Sequence, residues 1–152
     1  MRTTALALMA LLAVAGCSKD DENGEADAPS YPEALGSAHE HSKRKAAEVN
    51  LRQLGNALKM YAVSHGRYPD TLADLVQSQA VPGEMIESPV TGKPYVFVTG
   101  LEPDAPAGSV ILYESQAAYE GEHLVLRTGG GVELLTPAEL KSALALNRTA
   151  ED

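Results

Sequence analysis

Few side chains in this chain could do chemistry, and their spacing decides what that chemistry is. Cys17 is the one cysteine among 152 residues, so no intrachain disulfide can form. Its thiolate is the group here that most readily forms a thioether. It stands at the end of an apolar run, Ala5 to Val14, followed by the small pair Ala15-Gly16. His39-Glu40-His41 invites a metal reading. Residues at i and i+2 do not face each other on a helix, and the zinc-protease pattern needs histidines at i and i+4 with Glu between. The trio therefore reads as a solvated face. His65 ends a helical pattern and His123 opens a strand-like run. Each reads as a capping or surface group, and they become catalytic candidates only if adjacent in a cleft with a carboxylate. Glu102 and Asp104 share a loop, but calcium takes roughly six to eight oxygens. Gly129-Gly130-Gly131 lacks the lysine and helix entry of a phosphate loop, and there is no Gly-x-Ser-x-Gly elbow. The expectation is no enzyme, no cofactor and no metal site.

The segment that positions Cys17 is an export signal. Arg2 supplies the basic start, an apolar core of about ten residues follows, and small residues mark the cut. The run is too short for a membrane span, which takes roughly 20 apolar residues. Leu12-Ala13-Val14-Ala15-Gly16-Cys17 looks like a bacterial lipobox, with residues 1–16 removed and Cys17 acylated. An ordinary secretory signal with an incidental cysteine is the competing reading. Two or more acyl chains anchor a protein stably where one does not. Residues 17–36 then form an acidic, Pro- and Gly-containing tether with Tyr31 and Leu35 as its apolar anchors, too polar to order itself. The formal net charge of -9 makes nucleic acid and anionic lipid surfaces poor partners.

Residues 37–147 carry the periodicity of a folded domain. Ser37 with Glu40 is a capping-box signature, opening a helix that runs to Ser64 or His65, its first half polar and projecting from the body. Leu51, Leu54, Leu58 and Tyr61 step by three and four along one face. Gly66 stops the helix and Pro69 prevents an easy restart. Thr71 and Asp74 suit a short second helix ending near Gln77. Four strand-like runs follow: Tyr95 to Thr99, Ser109 to Glu114, His123 to Arg127 and Val132 to Leu135. Thr128-Gly129-Gly130-Gly131 reads as a hairpin turn between the last two. Thr136-Pro137-Ala138-Glu139 combines an N-cap, a first-turn proline and a capping-box Glu, and Leu140, Ala143 and Leu144 form the apolar face of a closing helix. Residues 148–152 are predicted to fray. The fold class is α+β, a long helix on an antiparallel sheet of about four strands.

That order resembles the pilin-like superfamily, particularly the globular part of type II secretion major pseudopilins. The residues that carry the resemblance are Leu51 to Tyr61, Gly66 to Leu75, Pro89 to Tyr95, and Leu124-Val125-Leu126 with Val132 to Leu135. It covers about residues 46–147. Three departures stand out. A lipobox and polar tether replace the hydrophobic assembly helix and its processing site. Tyr119 and Gly129-Gly130 stand where a related group has His and Asp-Gly. The pseudopilin calcium loop has no counterpart. The resemblance implies a non-enzymatic envelope protein, and the lipobox implies that lipid on Cys17 holds it in the cell envelope, facing the periplasm with the outer membrane favoured, or at the cell surface. It would work by protein contact, with secretion or pilus components as candidate partners. The alternative is an envelope lipoprotein that binds a small ligand or divalent cation.

Overall fold

The computed structural model describes residues 31–149. Helix α1, Tyr31–His65, is 35 residues long, about 52 Å at 1.5 Å per residue. It is already helical at Tyr31, ahead of the Ser37 capping box. Residues 31–36, at the end of the expected tether, are therefore helical. The expected signal peptide, residues 1–16, together with Cys17 and residues 18–30, lies outside the described residues. At the other end Gly66 has φ +74° and donates its N–H to the Ala62 carbonyl at 2.8 Å, closing the last turn in the left-handed conformation.

Ala47, Leu51, Leu54, Leu58 and Ala62 form the buried stripe of α1. Tyr61, at the margin of that stripe, is half-buried and stacks on His65 with ring centroids 4.0 Å apart. Helix α2, Leu72–Gln77, buries Leu72 and Leu75 beside α1. Thr71 caps it through the reciprocal bonds of a capping box, one of them from the Thr71 N–H to Asp74 Oδ2 at 2.8 Å.

The sheet is an antiparallel meander of β1 Tyr95–Phe97, β2 Val110–Glu114, β3 His123–Arg127 and β4 Val132–Leu135, in that spatial order. The period-2 alternation of strands sends Leu124 and Leu126 toward α1 and Val125 to the opposite face. Ile111 and Leu112 both join the α1-side core although they are sequence neighbours. A register shift between Val110 and Leu112 explains this, since a bulge breaks the alternation. β1 is shorter than the apolar run predicts, ending at Phe97, although the Val98 N–H still reaches the Ile111 carbonyl at 2.9 Å.

Helix α3, Pro137–Thr149, covers the other face, packing Leu140 and Ala143 on Val110, Val125 and Leu135. Its capping box is formed: the Glu139 N–H donates to Thr136 Oγ1 at 3.3 Å, and the Thr136 N–H donates to Glu139 Oε2 at 2.9 Å. Asn147, buried near the end of α3, accepts from the Val110 N–H at 3.2 Å and donates to the Val110 carbonyl at 2.8 Å. The result is α+β: a long helix, a four-stranded antiparallel sheet and a closing helix. α1 approaches the sheet closely at Gly55, where a β-carbon would lie 2.7 Å from Leu126 Cδ2.

Candidate functional site

The most elaborate polar arrangement lies under α1, at the far end of β2. Glu114 is fully buried there, 0% exposed. The loop after the Gly83–Ile86 3-10 turn brings Ser88 against it, and the Ser88 hydroxyl donates to Glu114 Oε1 at 2.6 Å. Ser88 also organises its own loop. Its Oγ accepts from the Val90 N–H at 3.1 Å and the Thr91 N–H at 3.3 Å, while its carbonyl accepts from the Gly92 N–H at 2.8 Å. Gly92 has φ +63°, a left-handed turn position that glycine takes without strain.

Two further segments close on the same carboxyl. The Tyr119 hydroxyl donates to Glu114 Oε1 at 3.4 Å, and the Arg44 guanidinium lies over the Tyr119 ring at 5.6 Å. His123 Nδ1 donates to the Glu114 backbone carbonyl at 2.8 Å, which fixes the tautomer at that nitrogen. Glu114 Oε2 has no hydrogen-bond partner. Burial pushes the Glu114 carboxyl above the usual carboxylate range, against the bonds from Ser88 and Tyr119. Burial, then the nearby Glu114 charge, raises the phenols of Tyr95 and Tyr119.

This cluster joins the 88–94 loop, β2, the 119–122 turn and, through Arg44, the first half of α1. That half therefore packs in part on the body rather than projecting free of it. Ser88 beside a carboxyl is not a nucleophile in waiting, because Ser88 is 2% exposed and no substrate reaches its oxygen. The remaining candidates do not converge. His65 is exposed and bonds the Tyr61 carbonyl at 2.9 Å. It stands 21 residues beyond Arg44 on α1, about 32 Å away, whereas His123 lies at the Arg44 end. His39 and His41 are exposed. Glu102 and Asp104 occupy a turn closed by the Ala105 N–H to the Glu102 carbonyl at 3.0 Å. Among the described residues no three His, Cys, Asp or Glu side chains are grouped to hold a metal ion. Cys17 lies outside them.

Glu114 is absent from the residues that motif and spacing single out. The signal that could have found it is parity: it lies two residues after Leu112 on an apolar strand, so it points to the same inner face.

On its outward side α1 exposes Val49, Met60 and Val63 among Arg52, Gln53, Asn56 and Lys59. No described helix is long and apolar enough to cross a membrane. The model of the type II secretion system protein G family matches residues 34–130, spanning α1, α2 and the first three strands with the turn after β3. The chain belongs to that family. No curated protein and no solved structure matches it. The matched stretch contains the Ser88–Glu114–Tyr119 cluster and stops before β4 and α3, so the closing helix lies outside the region the family model describes.

Proposed function

We propose that this chain is a lipid-anchored envelope protein whose pilin-like domain acts by protein–protein contact, as a non-enzymatic accessory of a secretion or pilus machine. The match to the type II secretion protein G family across most of the folded domain carries the reading. Two features support it. The titratable groups of the buried cluster are spent on internal joints, Glu114 on Ser88 and Tyr119, and His123 on a backbone carbonyl. The solvent face of α1 is left polar with scattered apolar groups.

In this reading the acyl chains on Cys17 take the place of an N-terminal hydrophobic helix, and the acidic stretch after Cys17 sets how far the domain reaches from the membrane. The test is crosslinking in cells with the full lipidated chain, followed by mass spectrometry. Capture of secretion or pilus components supports the role; reproducible capture of only unrelated envelope proteins overturns it. The anchor is tested separately by palmitate labelling. Label is expected on the native chain and absent from Cys17→Ala, and label that persists in the variant refutes lipidation at that residue.

A further inference from the structure

The two helices cover the faces of the sheet and leave its β1 edge open. β1 and β4 are the outer strands. The Val98 N–H bonds the Ile111 carbonyl, so antiparallel alternation turns the backbone groups of Val98 and Val96 toward β2. Phe97 therefore turns its N–H and C=O groups away from the sheet, Thr99 follows just past the end of β1, and among the described residues nothing bonds the backbone groups of either. Glu87 and Ser88 cover the start of this edge, through a bridge at Pro94 and the Ser88 N–H to the Lys93 carbonyl. Their cover ends there. The residues that usually blunt an exposed edge, lysine and proline, stand at 93 and 94 and not in the open stretch from Val96 to Thr99.

Side-chain space flanks the same stretch on both faces. α3 packs over β2 and β4, leaving beside β1 a cleft of about 530 Å³ lined by Val96, Val98, Tyr113 and Leu144, with no charged residue in its walls. On the α1 side Tyr68, Phe97 and Leu101 line a second cleft of about 380 Å³. That cleft also holds Arg67, Asp70 and Glu102. Arg67 is paired with Asp70 at 2.7 Å, so Glu102 is its uncompensated charge.

We propose that the β1 edge from Val96 to Thr99 receives an extended peptide strand from a protein partner. The partner's side chains are apolar where they enter the α3-side cleft and basic where they enter the α1-side cleft. Unpaired N–H and C=O groups two residues apart are matched by another strand in extended conformation, whose side chains then alternate between the two clefts. Main-chain bonds supply affinity and the clefts supply selectivity. The preference for basic residues follows from Glu102 locally and from the net charge of -9 over the chain. This refines the contact reading above and rests on it only in taking the partner to be a protein. Failure here leaves the crosslinking result standing, so the two can fail separately.

The test is amide-resolved hydrogen exchange on the full chain with acetyl-(Val-Lys)3-amide at millimolar concentration as the probe. Exchange at Phe97 and Thr99 is expected to slow at least tenfold. The same peptide with N-methyl groups on the amides that face β1 is expected to have no effect. Thr99→Pro removes an outward N–H that the sheet does not use, a position where an edge strand tolerates proline, and is expected to abolish the slowing at Phe97. Val96→Lys keeps every backbone group, puts a cation in the uncharged cleft and is expected to weaken the slowing at both amides. No slowing at either amide, or equal slowing with the methylated peptide, overturns the proposal. Slowing that appears with protein concentration alone, together with a doubled mass in solution, also overturns it by making a second copy the occupant.

Discussion

Replacing Glu114 by Gln isolates the charge of the buried carboxyl while keeping its shape. An ionised carboxylate at this site leaves Oε2 without a partner in a fully buried position, and a buried polar group left unmade costs about 1–3 kcal/mol, more when charged. The folded-state pKa is raised by burial above the ordinary 4.5. In the window above 4.5 the folded chain therefore holds a proton that the unfolded chain has lost. Linkage then requires this group's contribution to stability to be full below the unfolded value and to fall as pH rises through the folded value. The glutamine amide of the variant does not titrate, and its oxygen can still accept the Ser88 hydroxyl. The stability of Glu114→Gln minus that of the native chain should therefore increase, by about 1–3 kcal/mol, as pH rises from the ordinary 4.5 through the raised folded-state value. Urea denaturation of both chains at each pH measures the difference, and the subtraction removes the titrating groups that do not interact with Glu114. An unchanged gap, or one that shrinks with rising pH, refutes the argument that the carboxyl is held neutral by burial.

Two further substitutions test the packing. Gly55→Leu drives a side chain into Leu126 at the helix–sheet contact and should cost about 1–3 kcal/mol, whereas Gly55→Ala should be far milder because alanine regains about 1 kcal/mol of helix propensity; denaturant midpoints distinguish them, and equal costs would refute the close approach. Asn147→Leu leaves the Val110 N–H and C=O without side-chain partners and should cost at least about 2 kcal/mol, with faster hydrogen exchange at the Val110 amide as its local signature.

Much of the architecture was legible along the chain because local rules and tertiary demands agree there. The Leu51, Leu54, Leu58 spacing marks the face that the sheet buries, since a helix presents one side every three to four residues whatever it packs on. His123 to Arg127 and Val132 to Leu135 are strands at the predicted bounds, because a glycine turn with Gly130 at φ +90° sits between two β-favouring runs. Thr136 and Glu139 form their capping box because its partners are only three residues apart. Where local rules competed, they misplaced boundaries. The Ser37 box lost to a helix already formed at Tyr31, and the run Tyr95 to Thr99 lost its last two residues at the end of β1.

The sequence by itself determined the elements, their order, the buried stripe of α1 and the two caps, because each of these depends on residues within a turn or two of one another. Only the tertiary structure decided what the polar residues do. Ser88 and Glu114 are 26 positions apart, and Asn147 and Val110 are 37 apart; no local pattern announces such pairs. Glu114 ends its strand like a surface carboxylate and becomes a buried joint only because α1, the 88–94 loop and Tyr119 close over it. The open edge at Phe97 and Thr99 is likewise a property of strand order, set by which strands find partners rather than by any residue in β1.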